Sequence, residues 1–98
     1  MRMERVYEAT FIIKPDVEEE ARNEVIERIK SIITDNNGEI LEANEWGSRK
    51  LAYEINDYKT GYYTLLTIKA EADLVEELER NFKIIDDIIR YLVIRVEE

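Results

Sequence analysis

The stretch RVYEATFIIKP, residues 5–15, has the composition and the alternation of a β-strand that is ended by a proline. Most of its residues are β-branched or aromatic, and Pro15 lacks the backbone N–H needed to continue a sheet. Because successive side chains of a strand point to opposite faces, the two faces differ in character. One face is apolar or aromatic and comprises Tyr7, Ala9, Phe11 and Ile13, and the other is mixed and comprises Val6, Glu8, Thr10 and Ile12. Residues 5–14 are therefore predicted to form a first strand.

Helical periodicity follows the proline. Apolar residues recur there at the spacing of one helix face, and they are Ala21, Val25, Ile26, Ile29, Ile32 and Ile33. Asp16 is predicted to be the N-cap, with Glu19 completing a capping box. Gly38 is predicted to be the left-handed residue that ends the helix. The pattern predicts a helix over residues 17–36.

The stretch ILEANEWGSRKLAYEI, residues 40–55, is typical of one long strand whose apolar parity changes. Ile40 and Trp46 fall on even positions, although Leu41 and Ala43 blur this signal, and the apolar residues from Leu51 onward fall on odd positions. A change of parity requires an extra residue, and Gly47 is the predicted place of that bulge. Residues 56–61 are then predicted to form a turn, and residues 62–70 a third strand.

A second helix and a last strand complete the chain. Asp73 is predicted to cap the helix with Glu76 three residues on, and the apolar stripe consists of Leu74, Leu78, Phe82 and Ile85. Residues 88–96 are predicted to be the fourth strand. The order β-α-β-β-α-β favours an α+β, ferredoxin-like fold, with a four-stranded antiparallel sheet and both helices on one face. The fourth strand is expected beside the first, and residues 1–98 are expected to form one domain.

The net charge of −9 belongs to the two predicted helical regions. Residues 16–36 contain seven acidic and three basic side chains, and residues 71–87 contain seven acidic and two basic ones. The remainder is neutral, which leaves room for a locally basic surface. The absence of cysteine and histidine excludes disulfides, thiolate or imidazole catalysis and Cys/His metal sites.

Motifs for catalysis and for ligand binding are missing from the sequence. There is no glycine-rich phosphate loop, no EF-hand spacing and no aromatic signature of an RNA-recognition motif. Acidic pairs such as Glu76–Glu77 are interpreted as solvated helix faces. We therefore predict that the protein is not an enzyme, with no catalytic residue, metal, cofactor or small-molecule substrate. The chain has no membrane-length apolar run and does not open on a signal-peptide pattern, so we expect a cytoplasmic protein without a membrane partner.

The sheet face away from the helices is expected to be open and to carry large apolar side chains. In the last strand, Tyr91 and Val93 alternate with Arg90, Leu92 and Ile94, so that either face is partly apolar. A contiguous exposed apolar patch is typical of a docking surface, although a small sheet also exposes some aliphatic residues for no further reason. The candidate partner-docking residues are Val6, Ile12, Tyr63, Leu65, Leu92 and Ile94.

Cations and aromatic residues are interleaved around Arg49 and Lys50, which lie between Trp46 and Tyr53. This combination suits RNA, because cations contact phosphate and rings stack on unpaired bases. The alternative is that the cations keep a sheet edge soluble and unpaired. Tyr53 is interpreted as mainly structural, packed beside Leu51 and Ile55.

The segment GSRKLAYEI, residues 47–55, is the most specific part of a resemblance that covers essentially the whole chain. Together with VYE in the first strand, the proline before the first helix, GYY, and IIRYLV in the last strand, it resembles the bacterial-type sixth protein of the small ribosomal subunit. The resemblance implies a ferredoxin-like fold and a structural, ribosome-bound role.

The same resemblance implies binding to the central domain of small-subunit ribosomal RNA, together with protein eighteen of that subunit, a small basic protein. The matching RNA-binding positions are Arg49 and Lys50, followed by Arg5, Tyr7, Lys83 and Arg90. The high acid content favours a protein that needs its basic partner to reach RNA. A ligand-sensing or self-associating ferredoxin-like module without RNA binding is the competing hypothesis.

Overall fold

A computed structural model describes residues 3–96 and has the predicted order of elements. The strands are β1 (Arg5–Ile13), β2 (Glu39–Ile55), β3 (Tyr58–Ala70) and β4 (Ile88–Arg95), and the helices are α1 (Glu19–Asp35) and α2 (Ala72–Ile84). The strands form one sheet in the order β2-β3-β1-β4, and all neighbouring strands are antiparallel. The α+β, ferredoxin-like prediction is confirmed, including the place of β4 beside β1.

The hydrophobic core lies between the two helices and one face of the sheet. Ala9, Phe11 and Ile13 of β1 are fully buried there, as the alternation of β1 predicted. The ring of Phe11 lies 5.2 Å from that of Phe82 on α2, and the Phe82 ring stacks 5.1 Å from that of Tyr91 on β4. Burying a residue of this size stabilises the fold by about 1.5–3 kcal/mol. The core therefore fixes which face of the sheet the helices cover.

Both predicted helix starts are wrong by two residues. The N-cap of α1 is Glu18 rather than Asp16, and α2 begins at Ala72, which places Asp73 within its first turn. Asp16 instead accepts a hydrogen bond from the Tyr58 hydroxyl at 3.4 Å. A carboxylate in the first turn of a helix still interacts favourably with the helix dipole, and the first turns of both helices carry such acids.

The end of α1 differs from the prediction in the residue that adopts the left-handed conformation. Asn37 has φ of 66°, whereas Gly38 does not have a positive φ. The Gly38 N–H donates to Ile33 O at 2.8 Å and the Asn37 N–H to Thr34 O at 3.3 Å, which is a Schellman motif. Gly38 is required for space, because a Cβ there would lie 2.4 Å from Leu74 Cδ2.

The turn between β2 and β3 is shorter than predicted. Asn56 and Asp57 both have positive φ, of 50° and 69°, and β3 already begins at Tyr58, so residues 58–61 are strand rather than turn. Positive φ at both central residues is the geometry of a two-residue type I′ hairpin turn, which matches the twist of paired strands. The bulge predicted at Gly47 is confirmed by its φ of 80° and by a register shift between Glu45 and Gly47.

Candidate functional site

The sheet face away from the helices, called the open face below, carries five of the six predicted docking residues at accessible positions. Thr10 on β1 pairs with Leu65 on one side and with Leu92 on the other, which places these side chains in one row across the sheet. Leu92 and Ile94 are 60% and 48% exposed. Val6, Tyr63 and Leu65 are half-buried on the same face. An apolar row of this kind is typical of a surface that docks another molecule.

A hairpin arm, residues 49–61, projects past the end of β1 and bends over the open face. The last β1–β3 pair joins Ile13 to Tyr62, so the arm has no β1 partner. Its residue Leu51 is only 6% exposed, as is Ile12 on β1. Gly61 permits this contact, because a Cβ there would lie 2.3 Å from Ile12 Cγ2 and 3.7 Å from Leu51 Cδ2. Ile12 is consequently covered by the chain's own arm and is not part of the exposed docking surface that was predicted.

A groove of about 300 Å³ lies between the hairpin arm and the open face. Its walls come from β1, β4 and both strands of the hairpin, and they are formed by Thr10, Ile12, Leu51, Ala52, Tyr53, Ile55, Tyr63, Arg90, Tyr91 and Leu92. The groove is continuous with the apolar row through Leu92. Its lining is mainly apolar, with a guanidinium and hydroxyl groups as the polar parts.

Arg90 closes one side of the groove by contacting Tyr53. The Arg90 guanidinium donates a hydrogen bond from Nη1 to the Tyr53 hydroxyl, and its Cζ lies 5.4 Å from the centre of the ring. Because β3 and β1 separate β2 from β4 in the sheet, this contact requires the arm to cross the open face. Tyr53 lines the groove together with Leu51 and Ile55, but it is 61% exposed and contacts Arg90, so its ring is not buried between them.

Arg49 and Lys50 are both exposed, as the RNA-binding prediction requires. They pair with Gly61 and Thr60 within the arm. Adjacent residues of a strand point to opposite faces, so the two cations lie on opposite sides of the arm. The two cations can therefore contact groups on either side of the arm. A third cation of the arm, Lys59, lies on the paired strand β3.

The other predicted RNA-binding residues are dispersed. Arg5 lies at the far end of β1, seven residues from the Ile12–Arg90 pair, which corresponds to about 23 Å at the rise of a strand. Tyr7 packs its side chain against the core on the helix-covered face. Lys83 lies in the last turn of α2, also on the helix side of the sheet. The structure thus brings Arg49, Lys50 and Arg90 to the hairpin end of the molecule, and it places Arg5, Tyr7 and Lys83 elsewhere.

Tyr62 anchors the base of the hairpin arm to α1. Its hydroxyl donates to Glu45 Oε1 at 2.8 Å, and the Arg22 guanidinium carbon lies 4.1 Å above its ring. Burial raises the pKa of Tyr62, and the hydrogen bond to Glu45 raises it further. At the adjoining corner the Lys14 ammonium lies 3.4 Å from Asp87 Oδ1, and this hydrogen bond raises the pKa of Lys14. The contact of Tyr62 with Arg22 joins the hairpin end of the sheet to α1, and the contact of Lys14 with Asp87 joins it to the segment between α2 and β4.

Trp46 is an exposed aromatic residue whose position the sequence left ambiguous. It is 47% exposed and stacks on Tyr63, with ring centres 6.4 Å apart and planes inclined by 18°. Leu41 is 46% exposed on the same strand, β2. Register shifts on both sides of this stretch disturb the simple alternation of β2. The sequence signal at these residues was ambiguous, because Leu41 falls out of phase with Ile40 and Trp46 in the alternation of the strand.

Residues 3–96 contain neither a cluster of metal ligands nor a helix that could span a membrane. Within that range, no group of three or more acidic side chains is arranged to hold a metal ion. Neither helix of the described part is long and apolar enough to cross a membrane.

Comparison with known proteins identifies the family. A sequence model of the family described as Ribosomal protein S6 matches residues 6–95, which include all six elements apart from Arg5 at the start of β1. The chain belongs to the ribosomal protein S6 family. The small ribosomal subunit protein bS6 of Desulforudis audaxviator (strain MP104C) is 47% identical over 91 residues, covering 93% of this chain and 97% of that relative.

A solved structure of the S6 family has the same fold. The crystal structure of 30S ribosomal protein S6 from Thermotoga maritima, at 1.70 Å resolution, superposes with a TM-score of 0.91 and 38% sequence identity. The match covers 96% of this chain and 89% of that one. The resemblance drawn from residues 47–55 and the smaller motifs is therefore confirmed at the level of the S6 family, a structural component of the small ribosomal subunit.

Proposed function

We propose that this S6-family protein is a structural component of the small ribosomal subunit that binds the central domain of its ribosomal RNA jointly with protein eighteen. The observation that carries the proposal is the arrangement of the hairpin end. It combines exposed cations on the arm with an apolar row on the adjoining open face. The whole-chain similarity to small-subunit protein S6 supports the ribosomal setting. The proposed role is in the assembly of the small ribosomal subunit and requires no catalysis.

Arg49 and Lys50 are the proposed phosphate ligands. They are exposed, lie on a projecting arm, and point to opposite sides of it, so that the arm can lie between two phosphate strands. Arg90 is a third candidate, although part of its donor capacity is used by Tyr53. Phosphate contacts orient a protein on RNA without reading bases. Arg5, Tyr7 and Lys83 remain candidates at the periphery, because each would need RNA to reach another end or side of the molecule.

The open face is the proposed docking surface for the basic partner. Leu92, Ile94, Leu65, Tyr63 and Val6 form its apolar part, and Trp46 extends it along the Tyr63 stack. The net charge of −9 favours association with a cationic partner, and it disfavours binding of this protein to RNA without that partner. A partner of positive charge would reduce this repulsion, which makes joint binding the expected route to the RNA.

The proposal is tested by measuring binding of a central-domain RNA fragment with and without protein eighteen, over a series of salt concentrations. We expect binding to be much tighter with the partner. Arg49→Ala and Lys50→Ala should each lower the slope of log K against log salt by about one unit, since one phosphate contact is lost. Arg28→Ala removes an equal charge from the exposed side of α1 and is the matched control. Equal affinity without the partner, or unchanged slopes in both arm variants, would contradict the proposal.

The partner surface is tested separately by association of the two proteins in the absence of RNA. Leu92→Ser should weaken the complex, because it removes the most exposed aliphatic side chain of the apolar row. Ile84→Ser is the matched control, since Ile84 is 54% exposed but lies on α2. Weakening by Ile84→Ser alone would place the partner on the helices instead. A stable homodimer that is disrupted by Leu92→Ser would favour the competing self-associating module.

A further inference from the structure

The Asn37–Gly38 step follows the last turn of α1 and is the place where an asparagine precedes a glycine in this sequence. The other asparagines precede bulkier residues, at Asn23, Asn36, Asn44, Asn56 and Asn81. A glycine leaves its own backbone nitrogen unhindered and conformationally free, so it can approach the preceding side-chain amide in a flexible chain. We propose that Asn37 is a spontaneous deamidation site that the fold keeps unreacted, and that it is converted when the end of α1 opens.

The chemistry needs water as its only co-reactant. The Gly38 backbone nitrogen attacks Cγ of Asn37, forming an N–Cγ bond as the Cγ–Nδ2 bond breaks. The departing group leaves as ammonia and takes up the proton that the Gly38 nitrogen loses. Water then opens the resulting succinimide at either carbonyl, giving aspartate or isoaspartate. The net change is the exchange of an amide for a carboxylate, with release of ammonia.

The fold opposes the first step through the backbone rather than by covering the side chain. Asn37 is exposed, but the Gly38 N–H is held by Ile33 O at 2.8 Å. Attack requires that nitrogen to lose its proton, and therefore requires this hydrogen bond to break. Gly38 is also packed closely, because a Cβ at this position would lie 2.4 Å from Leu74 Cδ2 and 2.8 Å from Ile33 O. The backbone cannot turn toward the Asn37 side chain unless the helix end moves away from α2.

The product would be poorly accommodated at this position. A cleft of about 210 Å³ is lined by Asp35, Asn36, Asn37, Glu71, Asp73 and Leu74. A new carboxylate at position 37 faces acidic side chains across this cleft, and like charges in proximity repel. Isoaspartate also inserts a methylene into the backbone between the Cα of residue 37 and the Gly38 nitrogen, which displaces the Gly38 N–H from Ile33 O. The modified residue is thus expected in chains whose α1 end has been open.

The test compares three samples at neutral pH and physiological temperature: the folded chain, the chain unfolded in urea, and a peptide of residues 33–41. Mass spectrometry would follow conversion at Asn37 in all three samples, with Asn44 and Asn56 as internal references in the two full-length samples. We expect the peptide and the unfolded chain to react at similar rates, and the folded chain to react at least about tenfold more slowly, because reaction awaits local opening. Equal rates in the folded chain and the peptide would overturn the protection. A rate at Asn37 no faster than at Asn44 in the unfolded chain would overturn the site itself.

The consequence of modification is tested with Asn37→Asp, which introduces the carboxylate directly. We expect its unfolding equilibrium constant to exceed that of the parent chain by a few-fold at low salt, and the difference to shrink at high salt as the charges are screened. Asn37→Gly is the matched control, since it keeps the left-handed residue without adding charge. Equal stability of Asn37→Asp and the parent chain at low salt would overturn the predicted cost of the carboxylate.

Discussion

Single side chains decide how firmly the hairpin end and the core are held, and Thr64 carries a buried polar group without a partner. It lies on β3 between Phe11 and Glu45, is fully buried, and its hydroxyl has no hydrogen-bond partner within residues 3–96. A buried hydroxyl without a partner costs about 1–3 kcal/mol. The β-branch of Thr64 suits a strand, so its shape is favourable even though its oxygen is not.

Thr64→Val is expected to raise the free energy of unfolding by about 1 kcal/mol, because a methyl group replaces the unpaired hydroxyl at nearly the same volume. Urea denaturation measures the change. Thr67→Val provides the matched control, since Thr67 is half-buried on the open face and should change stability little. A loss of stability in Thr64→Val would mean that the hydroxyl has a partner.

Tyr62 leads to a pH-dependent prediction at the same scale. Its pKa is raised above the ordinary value of 10.0 by burial and by the hydrogen bond to Glu45. The neutral phenol is therefore favoured by folding, and its contribution is fully present below about pH 10 and is lost as the pH rises through the raised value. Relative to Tyr62→Phe, the parent chain should lose stability above pH 10 but not below it.

Urea unfolding of the two chains at a series of alkaline pH values measures this difference. Glu45→Ala removes the hydrogen-bond acceptor, which is the second cause of the raised pKa, and leaves burial as the first cause, so its alkaline loss should be smaller than that of the parent chain. A stability difference between the parent and Tyr62→Phe that is constant from pH 8 to pH 11 would contradict the raised pKa.

The elements of secondary structure were largely predictable from local patterns, but their ends were not. The bounds of β1 differ from the prediction by one residue at Lys14, and the helix stripes Leu74, Leu78 and Phe82 are buried as predicted. The N-caps and the length of the hairpin turn were misplaced. More than one residue near each end had the chemistry of a cap or a turn. The observed ends depend on contacts between distant parts of the chain, such as that of Tyr58 with Asp16.

Gly38→Ala tests the close approach of α1 to α2. The added Cβ would meet Leu74 Cδ2 at 2.4 Å and Ile33 O at 2.8 Å, so we expect a destabilisation of about 1–3 kcal/mol. Thermal or urea unfolding measures it. In a double-mutant cycle with Leu74→Ala, the two losses should be less than additive, because the smaller side chain makes room for the Cβ. Strict additivity would show that Gly38 is required for another reason.

At the scale of the whole molecule, charge is the dominant feature. The net charge of −9 lies on the helical side, while the hairpin arm carries exposed cations. Such a distribution repels RNA at long range and attracts a basic protein, which suits the proposed joint assembly. It also implies that the folded chain by itself is under self-repulsion at low ionic strength.

We expect the melting temperature of the isolated chain to rise by several degrees between about 0.01 M and about 0.5 M sodium chloride, as screening reduces this repulsion. Differential scanning calorimetry measures the change, with choline chloride as a second salt that excludes a specific effect of sodium. A melting temperature that falls with salt would show that attractive ion pairs, such as Glu77–Arg80, outweigh the net repulsion.

The sequence by itself determined the order of the elements, the core face of β1, the bulge at Gly47, and the presence of exposed cations at Arg49 and Lys50. These features follow from alternation, helical spacing and residue chemistry, all of which act over a few neighbouring positions. Only the tertiary structure decided that the hairpin arm bends over the open face, that Ile12 is covered, and that Arg90 meets Tyr53. It also decided that Gly38 is required for space rather than for its conformation. The physical reason is that each of these outcomes depends on atoms far apart in the chain that meet only once the sheet has formed.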